Sequence, residues 1–509
     1  MLGIKGRNGL PLLRLIAPAF PAINVFSRHA RKLTPLGPIM VATSANRVSG
    51  WRAEVIDENN YRGPRDHNGL PDHKALQEES PAFVIGLYCG LTSTMERVFE
   101  LAGFYKSQGA VVVAGGWHVH YCPDEALDNG IDVVVHGDGE IATRDILKAL
   151  SEKRTFAGIP GISFWDDGRK VINSSGALAG PCLDGLPYPD FGLLKYARGI
   201  KIYPIGRIRG CRMNCDFCSV KGAPRWASAE YLFGLVNWLV ATRGAERFFV
   251  VDDRSEEDPE GTISFFRMIS QKYGDRLRFT VQIRLEAAKK TELLEVMKAA
   301  GVKFVCVGYE SPIDEDLIAM RKGLSSAKML EWTRILRHDF WVHGMFIFGY
   351  PARDKTSGLS AKEMARRFRR FIRKARLDSV QVLHAVPIVG SGLRDRLEAE
   401  KRILPLELAP WSKYDGNWAC SIPDANMTLR QFQETPMRIM KWFYNPFSFF
   451  RIGLRILAFP ADCLVRGWNE WRRGWLRDLV KSGGHILVKK WQNMREQEAF
   501  LERLERRAK

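Results

Sequence analysis

The chain has 509 residues, 46% of them hydrophobic, and its 76 Lys and Arg against 57 Asp and Glu give a formal net charge of +19. That length exceeds one ordinary domain, and the basic excess calls for an anionic partner such as a nucleotide cofactor, a nucleic acid or a membrane surface. Nine cysteines, an odd number scattered through the chain, exclude a secreted disulfide framework and point to a reducing compartment.

The opening segment, MLGIKGRNGLPLLRLIAPAFPAINVF, has the basic start and apolar run of a leader. However, Arg14 interrupts the run, Pro11, Pro18 and Pro21 punctuate it, and no small-residue cleavage site follows. It reads as the start of a cytoplasmic protein, with LLRLIAP as a first buried strand. No apolar run reaches about 18 residues, so no membrane-spanning helix is expected. From there to residue 150, the short runs AEVIDEN, FVIGLYC, AVVVAGG and DVVVHGD alternate with longer amphipathic stretches. The pattern predicts a doubly wound parallel sheet covered on both faces, an α/β domain over 1–150. Ligands of such sheets sit at the carboxyl ends of the strands, which directs attention to Cys89–Ser93, Gly115–His118 and Gly137–Glu140.

Residues 151–200, rich in Gly, Pro and turn formers, read as a linker. A second β/α series over 201–395 has six strand candidates: KIYPIGRIRG, RFFVVDD, RFTVQIR, KFVCVGYE, WVHGMFIFGYP and SVQVLHAVP. Six repeats are too few for a closed eight-stranded barrel, so a partial (β/α)6 barrel is expected, with its working face at the strand carboxyl ends. Gly301 is a plausible helix stop after KTELLEVMKAA. Over 396–509 the rhythm gives way to a mostly helical, basic and aromatic-rich region. Its last stretch, REQEAFLERLERRAK, reads as a charged, exposed helix.

The most informative stretch is GRIRGCRMNCDFCSVKG, where Cys211, Cys215 and Cys218 form a C-x3-C-x2-C array. Three thiolates on a short loop can ligate three irons of a four-iron cluster and leave the fourth open to another ligand. A structural zinc would want a fourth ligand, and no other Cys or His lies within about twenty residues. A dithiol pair at Cys215 and Cys218 would leave Cys211 without a task. RGCRMNCDFCSV, after the first strand of a β/α series, resembles the cluster loop of the radical S-adenosylmethionine (SAM) superfamily, including Phe217 before the last cysteine. VVDD, QIRLEAAKKTELLEVMKAAGVKFVCVGYESP, GMFIFGYP and the preceding LPYPDFGLL agree with it in order, over about 185–390.

The resemblance implies a [4Fe-4S] cluster held by Cys211, Cys215 and Cys218, with S-adenosyl-L-methionine on the open iron. One electron from the cluster would cleave the sulfonium to a 5′-deoxyadenosyl radical that removes hydrogen from an unactivated carbon. Phe217 would touch the adenine. Asp252, Asp253, Gln282, Arg284 and Glu310, at strand ends, would contact the amine, carboxylate and ribose, with Arg284 and Glu310 the strongest candidates. The electron would come from a reductase, a ferredoxin or a flavodoxin.

Residues 11–150 similarly resemble the cobalamin-binding domain that precedes many such barrels, through PLGPIMVATSAN, IGLYCGLTST, VVVAGGWHVHYCPDEAL and DVVVHGDGE. Thr92 and Ser93 at a helix start, Gly115 and Gly116 at a strand end, and Gly137, Gly139 and Glu140 in the GDGE turn are the candidate cobalamin contacts. The D-x-H-x-x-G motif that supplies an axial histidine elsewhere is absent after the first strand, and DHNG at 66–69 does not fit its spacing. Cobalamin is therefore expected without that ligand, and His118 and His120 are assigned to turn or supporting roles.

Together the resemblances imply a cobalamin-dependent radical SAM enzyme, most naturally a C-methyltransferase using methylcobalamin. Alternatives left open are a non-methylating cyclase, oxidase or coupling enzyme of the same architecture, and a non-catalytic corrinoid or cluster sensor. Cys89, Cys122, Cys182, Cys306, Cys420 and Cys463 form no second cluster motif. The tail, with 17 basic and 8 acidic residues over 430–509, either packs against the barrel or lies on an anionic membrane through 440–492. A small-molecule or lipid-like substrate is expected. Nucleic acid is disfavoured, since no RNA-binding module is recognised.

Overall fold

The computed structural model describes residues 9–21, 32–173, 182–197, 199–352, 358–492 and 495–507. Two compact units emerge, one of Met1–Gly210 with Ala223–Asp252, the other of Cys211–Gly222 with Asp253–Lys509.

In the first unit, β1 (Leu12–Ala17), β2 (Arg52–Asp57), β3 (Val84–Tyr88), β4 (Val111–Gly115), β5 (Val133–Val135), β6 (Ile162–Asp166) and β7 (Arg169–Ile172) form one sheet in the order β2-β1-β3-β4-β5-β6-β7. The first five are parallel. All six residues of β1 are buried, as a strand covered on both faces requires. Helices Leu36–Ala45, Met95–Ser107 and Gly139–Ser151 belong to this layer system. The strand order reverses between β1 and β3, the point where open α/β sheets bind ligands outside their carboxyl ends.

One correction concerns the linker. Residues 162–172, within the stretch read as a connector, form an antiparallel hairpin that extends the sheet beyond β5. Asp167 and Gly168, at φ 43° and 78°, close it with the left-handed pair that two-residue hairpin turns favour. The hairpin continues the sheet where β5 would otherwise be an open edge.

The same unit carries β8 (Tyr203–Ile205), β9 (Ile208–Arg209), β10 (Arg225–Trp226) and β11 (Arg247–Val250). Strands β8 and β11 are parallel, while β9 and β10 make a short antiparallel ribbon. KIYPIGRIRG is thus not one strand but two. Asp252 Oδ1 accepts from the amides of Arg207 and Ile208 at 2.6 and 2.9 Å, taking both donors out of any ladder.

The second unit contains β12 (Arg278–Ile283), β13 (Val302–Glu310), β14 (Trp341–Phe348) and β15 (Ser379–His384), parallel and in chain order. They correspond to the last four of the six strand candidates of the β/α series. Residues Phe279, Val281 and Ile283 of β12 are buried, whereas Gln282 is exposed, the alternation of a strand with two different faces. Gly301, at φ 86°, follows helix Thr291–Ala299, and an added Cβ would lie 2.1 Å from the Leu277 carbonyl oxygen. Only glycine fits this stop.

The C-terminal region is helical: Leu429–Phe443, Phe447–Leu457, Phe459–Arg466, Trp468–Gln492 and Arg495–Arg507. The helix Trp468–Gln492 is tied to the amino-terminal end of the barrel strands, where Arg473 donates to Asp378 at 2.7 Å and to the Phe340 carbonyl at 2.7 Å. The final helix is not simply exposed. Phe500, Leu501 and Leu504 are buried, with Phe500 edge-on to Trp418, because these positions fall on one helical face. No described helix is long and apolar enough to cross a membrane.

Arg14, which interrupts the first apolar run, is fully buried in β1 yet completely paired. It donates to Glu54 at 2.6 Å, Gln77 at 3.0 Å, Tyr105 at 3.3 Å, and the carbonyls of Leu76 and Ser80 at 3.1 and 2.7 Å. Removing the guanidinium leaves the buried Glu54 carboxylate to the more distant Lys195 Nζ, 3.8 Å away. Arg14→Met should therefore cost the full chain about 3–5 kcal/mol, measured as a shift in the urea midpoint; a loss below about 1 kcal/mol would show that the network is dispensable.

Candidate functional site

The cysteine loop is an irregular segment whose geometry is set by its neighbours. Cys215 is buried, and Cys211 and Cys218 are half-buried. The Cys218 amide donates to the Cys215 carbonyl at 3.2 Å, which turns the chain so that a short C-x2-C step is possible. Burial pushes the Cys211 and Cys218 thiols above their ordinary value, with nearby Cys215 and Cys211 adding to the rise at Cys218. Ligation to metal would remove those protons outright.

Asp216 anchors the loop. Its amide donates to the Met320 carbonyl at 3.0 Å, its carbonyl accepts from Leu393 at 2.9 Å, and its carboxylate accepts from the Tyr350 hydroxyl at 2.7 Å. Arg396 Nη2 stands 3.5 Å from the same carboxylate. Close by, an added Cβ at Gly392 would lie 2.7 Å from Asp216 Oδ1, so this helix start admits only glycine without displacement. Two further bonds fix the flanks: Arg212 donates its amide to Glu257 at 3.0 Å, and Lys221 Nζ donates to the Cys215 carbonyl at 2.8 Å.

Several predicted residues meet here. Arg284, just past β12, reaches Cys215 Sγ at 3.9 Å and donates to Glu286 at 2.6 Å and to the Lys322 carbonyl at 3.2 Å. Phe217 packs against the buried cluster of Ala319, Met320, Tyr350, Ala385, Leu393 and Leu397, with Lys322 Nζ 6.0 Å above its ring. That ammonium in turn donates to Glu310 at 2.8 Å in a buried ion pair. Glu310 itself has φ 61° at a register shift ending β13, and an added Cβ at Gly308 would lie 2.3 Å from its carboxylate. Left-handed backbone in a non-glycine residue is costly and concentrates at functional sites. Gln282 and Asp253 are exposed, while Asp252 in the first unit spends Oδ1 on the Arg207 and Ile208 amides.

The candidate cobalamin residues lie at the carboxyl ends of β3, β4 and β5. Thr92 and Ser93 sit in a single helical turn after β3, and Thr92 Oγ1 is 3.3 Å from His118 Nδ1. Gly115 ends β4. Gly116, at φ 132°, would carry a Cβ 2.5 Å from the Cys89 carbonyl carbon, so glycine lets the ends of β3 and β4 approach. Gly137, at φ 78°, lies in the turn after β5, and Gly139 opens the helix Gly139–Ser151. Glu140 is placed otherwise than expected for a ligand contact. Its buried carboxylate accepts from Arg209 at 2.6 and 3.2 Å, and Asp138 takes Arg225 at 2.6 Å. Arg209 and Arg225 are direct partners across the β9-β10 ribbon, a like-charge pair that these two acids offset.

At the end of β2, Asp57 Oδ2 and both polar side-chain atoms of Asn60 are buried with no hydrogen-bond partner among the described residues. Burial pushes the Asp57 carboxyl up to about 6. Buried polar atoms left open at a strand carboxyl end are the state that a bound polar ligand would complete. His118 is buried, with Nε2 3.0 Å from Glu125, and a ligand atom from each of His118, Cys122 and Glu125 lies within 4.8 Å of the others. His120 and His136 approach at 3.4 Å and burial lowers both below their ordinary value. DHNG is a surface turn in which Asp66 Oδ1 accepts from the Asn68 and Leu70 amides, each at 2.9 Å. Most of the segment after β1, residues 22–31, lies outside the described residues.

With this geometry in hand, comparison with known proteins decides the family. A model described as the B12 binding domain matches residues 28–147, and one described as the radical SAM superfamily matches 205–383. The chain carries a B12-binding domain followed by a radical SAM domain. It is 28% identical to an uncharacterized methyltransferase of Pyrococcus horikoshii over 64% of this chain and 70% of that protein. It is 22% identical to the hopanoid C-3 methylase of Methylococcus capsulatus over 61% and 60% of the two chains. The solved structure of the radical SAM methyltransferase TsrM of Kitasatospora setae, with cobalamin and a [4Fe-4S] cluster bound, shares the fold at a TM-score of 0.63. It is 18% identical, covering 77% of this chain and 78% of that one.

Around the cysteine loop of the radical SAM domain, sequence reasoning missed Asp216, Tyr350, Lys322, Arg396 and Gly392. Asp216 sat in view inside the cysteine motif, but its partners lie over a hundred positions away and no spacing rule connects them. Tyr350→Phe should lower iron retained after reconstitution by severalfold or more, since one hydrogen bond to a charged carboxylate is worth about 1.5–3 kcal/mol; retention at the wild-type level would place the loop's anchor elsewhere.

A pH effect follows from Asp316, on the short helix Asp314–Ala319 that leads to Met320. Burial, with Glu315 and Asp424 adding to it, pushes this carboxyl up to about 7 although Ser311 donates to it at 2.6 Å. The folded state then holds this proton more tightly than the unfolded state, so the group's contribution to stability falls as pH rises from about 4 to about 7. Asp316→Asn should gain in melting temperature relative to wild type across that rise; a constant difference would contradict the assignment.

Proposed function

We propose that this enzyme is a cobalamin-dependent radical SAM methyltransferase acting on an unactivated carbon of a small molecule. The observation that carries the proposal is the three-cysteine loop, held by Asp216 and bordered by Arg284, in a chain that also has a B12-binding domain. Methyl transfer is in the names of the Pyrococcus and Methylococcus relatives and of the Kitasatospora enzyme. When bound, the cofactors would supply radical generation and a transferable methyl group.

The chain's own residues would do the following. Cys211, Cys215 and Cys218 hold the [4Fe-4S] cluster, and no fourth cysteine lies in the loop. The Arg284 guanidinium beside Cys215 favours a negatively charged cluster and is kept in place by Glu286. Phe217 offers a flat apolar surface to the adenine of SAM, while Lys322 and Glu310 present a paired charge that can orient polar groups next to it. Asp253 and Gln282 are exposed and reachable by the ribose or the amino acid end, whereas Asp252 positions the backbone that enters the loop. Thr92, Ser93, Gly115, Gly116, Gly137 and Gly139 line the strand ends at which cobalamin would sit. Glu140 would act through Arg209 rather than by contact with the corrin. An electron donor such as a ferredoxin or flavodoxin would supply the electron.

The reading is tested by reconstituting the full chain anaerobically with iron, sulfide and hydroxocobalamin and adding SAM, a reductant and cell extract as substrate source. Wild type should bind corrinoid and release 5′-deoxyadenosine. Cys215→Ala should lose cluster absorbance and deoxyadenosine entirely, while Arg284→Ala should retain iron but slow cleavage by about tenfold or more. Cleavage with no corrinoid bound would defeat the methyltransferase reading, and cluster and corrinoid binding without cleavage across all extracts would favour a sensor.

A further inference from the structure

In the C-terminal region one helix is turned inside out. Phe447–Leu457 buries only Ser448, and Phe447, Phe450, Leu454 and Leu457, spaced three, four and three residues apart, share one face that is exposed. Phe447 is 71% exposed, Phe450 67% and Leu457 82%. The polar residues of the helix point the other way: Arg451 donates to Asp478 at 3.0 Å and Arg455 at 2.8 Å, and Asp478 is almost fully buried. Arg455 also accepts from Trp471 through its carbonyl at 3.0 Å, and an added Cβ at Gly474 would lie 2.6 Å from its guanidinium. The orientation is therefore fixed by a buried ionic knot and a close helix approach, with the apolar face held outward. The next helix continues the surface, since Leu464 is 87% and Val465 83% exposed, followed by exposed Trp468.

A soluble monomer leaves no such contiguous apolar surface without a use. The charge around it selects the occupant. Residues 441–490 hold ten Lys or Arg against three Asp or Glu. Of the acids, Asp478 is committed to Arg451 and Arg455, and Asp462 stands 3.6 Å from Arg455. Lys441 and Arg472, on either side of the apolar helices in sequence, are exposed. A second copy of this chain would set like charge against like, whereas an anionic bilayer supplies both an apolar phase and the opposite charge.

We infer that Phe447–Trp468 is an interfacial docking surface for anionic lipid bilayers, entered by its phenylalanines, leucines and Val465, with the exposed Lys441 and Arg472 flanking it in sequence. It spans nothing, because no described helix is long and apolar enough to cross. Its supporting helix is tied to the amino-terminal end of β14 and β15 through Arg473, the end of the barrel opposite Glu310, so docking leaves the carboxyl ends of the strands unobstructed. The inference stands apart from the methyltransferase reading.

Flotation of the full chain with phosphatidylcholine vesicles, with and without phosphatidylglycerol, tests it. Wild type should float with the phosphatidylglycerol vesicles and dissociate as salt is raised. Phe450→Glu with Leu457→Glu should lower the bound fraction about tenfold or more while leaving the melting temperature unchanged. Should that pair misfold, Leu464→Ser with Val465→Ser gives the same readout without added charge. Absence of wild-type binding to phosphatidylglycerol vesicles, binding indifferent to both variants, or a patch-dependent oligomer that ignores vesicles would overturn the inference.

Discussion

Much of the proposed chemistry depends on one buried carboxylate. Asp216 stands between Cys215 and Cys218, and through its side chain and both backbone groups it ties an irregular loop to Tyr350, Met320 and Leu393. A loop carrying three metal ligands cannot rely on a ladder of its own, so its shape has to be imposed by surrounding elements. Because the contacts come from the ends of two β/α units and the helix Gly392–Ala399, formation of the ligand set is coupled to completion of that part of the fold. Arg284 extends the coupling by linking Cys215 to the Lys322 segment, hence to Glu310 and Phe217.

The same device recurs in the first unit, where acids sit at the strand ends and arginines on the segments they hold. Asp138 stands at the N-cap and Glu140 in the first turn of the helix that follows β5, and they bind Arg225 and Arg209 of the ribbon that brackets the cysteine loop in sequence. Burial alone would lower the Arg209 pKa, but the charges and hydrogen bonds of Glu140 and Asp138 together outweigh it and raise it above the ordinary value. A turn expected to meet a cofactor thus also serves as a clamp. Buried ion pairs of this kind are poor sources of net stability, but they penalise any arrangement in which a partner is missing.

The sequence made the architecture plain because β/α repetition is a periodic signal, and the cysteine array because its spacing is local. Arg284 and Glu310 were legible as residues at strand ends and Phe217 as the aromatic before the last cysteine of the loop, and the structure brings all three around Lys322. What escaped was the long-range part. Tyr350 and Arg396 give no local sign of their contact with Asp216, and nothing around Glu140 shows that Arg209 occupies it. The hairpin at 162–172 was signalled by Asp167-Gly168 but was hidden in a stretch that otherwise resembled a connector. The final helix was misjudged for a different reason: its many charges obscured the single buried face formed by Phe500, Leu501 and Leu504.

The central claim, that this chain transfers a methyl group by radical chemistry, is tested most directly with SAM bearing a trideuterated methyl group. The reconstituted protein would be incubated with small-molecule extract and the products followed by mass spectrometry. The account predicts a new product that is heavier by one trideuterated methyl group and absent with Cys215→Ala. Deoxyadenosine formed in full measure, with no deuterium entering any extract component, would contradict it.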